Sequence, residues 1–393
     1  MATRARARSR PEPVAELSWD QVLGLRLRRQ RLDARAPHAE RLAVAGALCG
    51  LHAQLMSSAE LTLWARVEQL AADDVATALW EERTLVKTWA ARGTLHLLPS
   101  ADYGSWTGAL SARAPRAYLN ASRLRYFGLT EDELLRIAAE VDATLADGRL
   151  LTRTELAAEV QRRTGSEALG DRLRDNWGST LKYPAAIGAL CFGPSDGQSV
   201  RFTHPTAWLG AWEAAAGEPA LADAARRWLA AAGPLTRDEL ARWWGVAPAD
   251  GRRMLRLLGD EVVPVSVAGE ERWLLAADVE PAQGSAAKGS GVVRLLPAFD
   301  QYTIAATRHA ERLLPADARA RVYRPQGWIS PVLLVEGRMA GVWRHERRGA
   351  ALRVGIEPFG RLSAKARTAT AGEVERLARF LGGEPALAWG PLD

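Results

Sequence analysis

The sequence predicts an α+β protein, with three tandem winged-helix units followed by a C-terminal β-barrel-like sheet. Three observations lead there. "LLTRTELAAEV" at 150–160 and "PLTRDELARWW" at 234–244 echo each other. Each echo is followed by helix, turn, helix and hairpin, the order of the winged-helix variant of helix-turn-helix. Beyond residue 291 the chain becomes a succession of short apolar, strand-like segments.

In chain order, residues 1–14 form a basic tail carrying Arg4, Arg6, Arg8 and Arg10. A first unit spans 15–125. Apolar periodicity predicts helices at 18–34, 38–51, 59–70 and 73–83, the last capped by Asp73 or Asp74. "LVKTWAARGTLHLLP" then reads as two strands around Ala91–Gly93. The second unit, 126–215, opens with a Thr130/Glu133 pair. The echo within it carries Thr152 and Glu155, and "CFGPSDGQSVRF" supplies a hairpin. The third unit, 216–280, carries Thr236 and Glu239, then a hairpin turning at Ala268–Gly269. Each Thr sits three residues before its Glu, the spacing of a capping box. "VEPAQGSAAKGSG" (279–291) reads as a linker or a long loop. The last domain, 281–393, has a hairpin turn at Glu336–Gly337 and a helix over 363–382 capped by Ser363.

Composition narrows the function. The chain has 393 residues, 48% hydrophobic and 25% charged, with a net charge of +6. No apolar run approaches the roughly 20 residues a membrane span needs, and no apolar segment follows the basic start as in a secretory signal. With two cysteines, Cys49 and Cys191, both in apolar runs, the expected setting is the reducing cytoplasm. The basic balance fits either an arginine-rich composition or a nucleic-acid footprint. The six histidines are dispersed, and GxxxxGK[ST], GxGxxG after a strand and HExxH are all missing. A metal, a nucleotide cofactor or any other cofactor is therefore not expected.

The stretch that invites chemistry is "GLHAQLMSS" (50–58). In a helix, His52 and Gln54 would point about 200° apart; in an extended segment they face the same side. "MSS" is poor for continuing a helix, so both side chains can project into one cleft if the helix ends near Leu51. The competing reading makes His52 a helix-end residue bonded to a backbone carbonyl. His96, between Leu95 and Leu97, is either a supporting site residue or a satisfied structural one. His204 precedes Pro205 and fixes a turn. Asp300, in "PAFDQY", is either a carboxylate near the site or a turn cap. Trp64, Trp243 and Trp244 sit at helical spacing and read as core.

Several stretches, in this order, resemble the AlkZ/YcaQ family of bacterial DNA glycosylases. They are "LRLRRQRL" (25–32), "GLHAQLMSSAELTLWARV" (50–67), "LVKTWAARGTLHLLPSADY" (85–103), "FTHPTAWLG" (202–210), "LLPAFDQYTIA" (295–305) and "ISPVLLVEGRMAGVWR" (329–344). Together they span most of the chain. The family's catalytic segment has Gln, an apolar residue, then Gln or Asp; here His52 stands first and Gln54 second. This His-x-Gln form resembles members associated with self-resistance to DNA-alkylating, intercalating antibiotics. The resemblance implies hydrolysis of the N-glycosyl bond of an alkylated purine, N7-alkylguanine, in double-stranded DNA by a monomer. His52 would position water or act as general base, with an ordinary pKa of about 6.5, and Gln54 would be its partner.

DNA-contact candidates follow from location: Lys87 and Arg92 on the first hairpin, and Arg344, His345, Arg347 and Arg348 on a C-terminal hairpin arm. Trp343 beside them is core or a wedge against bases. Two other classes stay open. A winged-helix regulator or damage sensor would need the same basic surface but not the His52–Gln54 pair. A lyase would need a desolvated lysine, for which Lys182 is the candidate. A nuclease would want clustered carboxylates for a metal, and the sequence has no such cluster.

Overall fold

The computed structural model describes residues 12–392. Arg4, Arg6, Arg8 and Arg10 lie outside the described residues. Val14, at the end of the expected tail, already donates its N–H to the Pro264 carbonyl at 2.9 Å. The strands are β1 (Glu16–Leu17), β2 (Leu51–His52), β3 (Leu85–Trp89), β4 (Leu95–Pro99), β5 (Leu151–Thr152), β6 (Cys191–Asp196) and β7 (Ser199–Thr203). There follow β8 (Val262–Val267), β9 (Glu270–Leu275), β10 (Val293–Leu296), β11 (Val332–Val335), β12 (Arg338–Arg348), β13 (Ala351–Pro358) and β14 (Glu384–Trp389).

Three small sheets, ordered β2-β4-β3, β5-β7-β6 and β1-β8-β9, each pair one hairpin with a short third strand. The three Thr/Glu pairs are capping boxes, with Thr130, Thr152 and Thr236 each accepting from the backbone N–H of its Glu. Ser363 caps the helix Ala364–Leu381. Both hairpin turns form with consecutive positive φ, at Ala268–Gly269 and Glu336–Gly337, as type I′ loops require.

Several expectations need correction. The C-terminal sheet is not a closed barrel. Its five strands run β10-β11-β12-β13-β14 with open edges at β10 and β14. The helix Ala364–Leu381 carries the chain across to lay β14 parallel to β13, so the sheet grows outward instead of closing on β10.

The segment expected to start the first unit completes the third sheet instead. β1 pairs in parallel with β8, Glu16 opposite Ser266 and Leu17 opposite Val267. From the helix Trp19–Arg29, Val22 and Leu25 pack with Val265, Leu274 and Ala282. β8 has one free edge after pairing with β9, and β1 fills it; the place that β2 and β5 take beside the second strand of their hairpins is held here by Leu235, bridged to Trp273 of β9.

The expected linker at 279–291 is packed structure. It begins with a short helix, Val279–Gln283, and Ser285 and Ala287 are buried. Gly24 makes the fit possible, since a Cβ there would lie 2.6 Å from the Ala286 nitrogen.

The helix expected over 38–51 is shorter, with its α-helical part at Arg41–Ala47, and Cys49 and Gly50 then take positive φ. "MSS" opens the next helix, Met56–Trp64, instead of preceding it. Asp73 makes no side-chain cap bond; Asp74 accepts from the Ala71 N–H at 2.7 Å instead.

The first sheet is the hinge of the architecture. Leu51, Leu85 and Leu97 face a core shared with the C-terminal sheet, including Leu295, Leu333 and Trp343. Val86 and Leu98 face a second core shared with the other two units. Successive strand residues point to opposite faces, so this division fixes where the intervening polar residues go.

Candidate active site

His52 and His96 occupy that second face. They are directly opposite in the β2–β4 register, as are Leu51 and Leu97 on the other face. Beyond His52 the chain stays extended, with the Ala53 N–H donating to the Leu95 carbonyl at 2.7 Å. Ala53 turns inward with Leu51, and Gln54 joins His52 in lining one cleft. The shared orientation expected of an extended His-x-Gln segment is therefore present.

The cleft has a volume of about 730 Å³. Its walls come from parts distant in sequence: the first hairpin (Arg92, Thr94), the helix Arg237–Trp244 (Glu239, Arg242, Trp243), and the C-terminal region (Phe299, Arg308, Arg324, Trp328). Hairpin and helix meet at Gly245, which ends the helix at φ 76° and admits the Arg92 backbone; a Cβ there would lie 2.9 Å from Arg92 Cα.

The electrostatics are one-sided. Arg242, Arg308 and Arg324 are exposed on the cleft walls, and among the described residues neither they nor Arg92 has a carboxylate partner. Some arginines elsewhere are tied up, as Arg226 is to Glu261 and Arg227 to Asp102. The Glu239 carboxylate in the cleft is spent. Oε1 accepts from His309 Nδ1 at 2.6 Å, and Oε2 accepts from Arg272 at 2.8 Å and from the Thr236 N–H at 2.8 Å. Burial alone would raise its pKa, but His309 and Arg272 hold it at about 2.

His52 is 4% exposed. Burial first, and then the Arg92 charge, push its pKa down to about 4, below the ordinary value expected from sequence. The ring is neutral at neutral pH. It stacks on Phe299 (centroids 5.1 Å apart, planes at 22°) and meets the His96 edge at 5.4 Å. Its Nδ1 is buried without a partner. His96 is fully buried; its Nδ1 donates to the Thr94 carbonyl at 2.9 Å, and burial and then His52 keep its pKa well below the ordinary value.

The remaining candidates fall elsewhere. Asp300 is buried in a two-pronged ion pair with Arg66, 2.7 Å on each prong, and caps the next helix through the Tyr302 N–H. Both of its oxygens are engaged and it does not line the cleft. Lys87 lies over the Phe192 ring at 5.4 Å. Arg344, His345, Arg347 and Arg348 lie on the far part of β12, outside the cleft. Arg347 donates to the Leu381 carbonyl at 2.6 Å, and Arg348 pairs with Glu346 at 3.0 Å. Trp343 is core, its Nε1 donating to the Leu296 carbonyl at 2.8 Å. His204 caps a helix at Pro205 by accepting from the Thr206 N–H. Lys182 is half-buried and outside the cleft. Sequence reasoning missed Arg242, Arg308, Arg324, Phe299 and Trp328. The arginines carry no local signal, whereas Phe299 stands beside the Asp300 that "PAFDQY" did bring forward.

A basic cleft with a neutral histidine on its wall defines a class of protein that handles nucleic acid, and comparison with known proteins makes the class specific. The family model described as DNA glycosylase AlkZ-like matches residues 45–380, and the chain belongs to that family, whose members hydrolyse N-glycosyl bonds in DNA. Among individual proteins, it is 35% identical over 334 residues to a Streptomyces sahachiroi protein named an interstrand DNA cross-link repair glycosylase, covering 83% of this chain and 87% of that one. The solved structure of Streptomyces sahachiroi DNA glycosylase AlkZ superposes with a TM-score of 0.83 at 32% identity, over 95% of this chain and all of that one.

Proposed function

We propose that the cleft releases N7-alkylguanine from double-stranded DNA, acting on bulky adducts left by an intercalating, DNA-alkylating natural product, as a self-resistance enzyme. The observation that carries this reading is a neutral His52 beside Gln54 in a cleft ringed by unpaired arginines. Alkylation at N7 makes the base cationic and a good leaving group, so the enzyme's task is to stabilise an oxocarbenium-like sugar and deliver water. An imidazolium would oppose that positive charge. Burial and Arg92 keep the ring neutral, and a ring nitrogen can hold the attacking water and take its proton as the C–O bond forms. The Gln54 carbonyl holds the same water, and its amide reaches a phosphate or sugar oxygen.

Arg92, Arg242, Arg308 and Arg324 bind the phosphates that flank the lesion. The three small sheets with their helices act as three winged-helix units along the duplex, and one chain suffices as a monomer. The relative's name extends the candidate substrates to interstrand cross-links.

The test is base release from one duplex with N7-methylguanine and one with a bulky intercalator-linked N7-guanine adduct, using wild type and His52→Ala. Release of the bulky adduct, lost in the variant, is expected. Equal release of both bases would replace self-resistance with general alkylation repair. Tight binding without release would make the protein a damage sensor.

A further inference from the structure

The segment Pro297–Tyr302 reaches from the C-terminal sheet to the first unit and meets it with three consecutive side chains, Phe299 and Gln301 at the start of β2 and Asp300 at Arg66. Asp300 holds Arg66 by two hydrogen bonds, both groups fully buried. Gln301 Nε2 donates to the carbonyl of Gly50, the residue just before β2, at 2.9 Å. Between these anchors and the strand, Phe299 adopts φ 58°. An aromatic residue rarely takes that conformation, and it persists only where the surroundings over-determine it. The reward is visible: the Phe299 ring lies nearly parallel to the His52 imidazole at 5.1 Å and meets the Trp328 ring edge-on at 5.1 Å. Trp328, 41% exposed, closes this aromatic row at the mouth of the cleft.

We propose that Phe299 is a positioning residue of the reaction, its strained backbone presenting a flat wall that fixes the plane of His52 and shuts water off from one face of the ring. The inference rests on the proposed role of His52. The titratable and charged groups that face the same cleft or the ring are His96 from β4, Arg92 from the β3–β4 turn, Glu239 and Arg242 from the helix Arg237–Trp244, and Arg308 and Arg324 from the C-terminal region. The cleft has other apolar walls, but the ring stacked on the imidazole is that of Phe299. Without Phe299 the imidazole gains water and rotational freedom, and the cationic form becomes easier to reach.

Phe299→Gly is the discriminating variant, because glycine takes φ 58° without strain and the change removes the ring while leaving the Asp300 and Gln301 anchors. Phe299→Tyr restores a flat ring and is the rescue. The first readout is the His52 imidazole titration by NMR in the protein without DNA. It is expected to move up by about one pH unit in Phe299→Gly and to return in Phe299→Tyr. The second is single-turnover base release across pH. It is expected to fall about tenfold or more at neutral pH, with its acid limb shifted upward and DNA affinity within about twofold. An unchanged titration in a folded Phe299→Gly protein overturns the proposal, as does a rate loss that Phe299→Tyr fails to restore. Should Phe299→Gly not fold, Phe299→Ala, which also removes the ring and opens that face to water, takes its place with the same two outcomes. The titration needs no catalysis. A wild-type protein that releases no base would therefore sink the proposed function, while the NMR measurement would still decide whether Phe299 holds and shields the His52 ring.

Discussion

His52 and His309 make an instructive pair. Both rings are buried, 4% and 2% exposed. Both have pKa values pushed to about 4, burial being the largest cause in each case and an arginine next, Arg92 for His52 and Arg26 for His309. Their hydrogen bonding differs. His309 Nε2 faces Arg26 Nη1 at 2.7 Å. Arginine can only donate, so Nε2 must accept, and Nδ1 carries the hydrogen that it gives to Glu239 at 2.6 Å. Both nitrogens are committed, in a network that joins the helix Trp19–Arg29, the third unit and the C-terminal region. His52 has a buried Nδ1 without a partner, and the residue itself lines the cleft. A depressed pKa alone therefore does not mark a reactive histidine here. Uncommitted hydrogen-bonding capacity in a ring that lines a cleft does.

Substitutions can break or sharpen this contrast. His52→Ala is expected to lower base release by about 10²- to 10⁴-fold while leaving the thermal midpoint within a few degrees, measured by single-turnover kinetics and calorimetry. The reverse pattern is expected for His309→Ala. It strands Glu239 and Arg26 in the interior, so denaturant unfolding should show a loss of about 2–4 kcal/mol, with base release per folded molecule reduced less than tenfold.

Acid should expose the same difference. The folded-state pKa of His309, about 4, lies below the ordinary 6.5. Its contribution to stability is therefore fully present above about pH 6.5 and is lost as pH falls through 4, a swing of about 3 kcal/mol. Glu239, held at about 2 against an ordinary 4.5, adds a loss in the same direction below pH 4.5. Unfolding free energies measured from pH 7 to 4 should drop less steeply in a His309→Gln variant than in wild type; an identical slope would show that His309 does not titrate as described. Smaller again, each of Arg242→Ala, Arg308→Ala and Arg324→Ala should weaken DNA binding several-fold and reduce the magnitude of the salt-dependence slope by about one. Arg348→Ala, in a surface pair with Glu346, should change stability by no more than about 0.5 kcal/mol and leave that slope unchanged.

Local chemistry was legible in the sequence. The Thr/Glu spacings became capping boxes, the Ala-Gly and Glu-Gly turns became hairpins, and alternation placed His52 and Gln54 on one side. What the sequence concealed depends on which distant surfaces meet. β1 is only two residues long and looks like the lead-in to a helix; its partner edge on β8 lies about 250 residues away. The depressed pKa of His52 comes from burial in the folded chain and then from the Arg92 charge, and no local pattern encodes the burial. Asp300 drew attention as a carboxylate near the site, but Arg66, 234 residues away, claims both of its oxygens. Its neighbour Phe299 lies on the cleft wall. The cleft arginines come from separate elements and converge only in the folded chain.

The parallel pairing of β1 with β8 also sets a schedule for synthesis. Leu17 leaves the ribosome long before Val267, its partner across the strands. At roughly 5–20 residues per second, the apolar side of the helix Trp19–Arg29 waits about 10–50 s for the sheet that covers it. During that wait Val22 and Leu25 are open to any passing hydrophobic surface, and a chaperone that binds early chains should be found on this helix first.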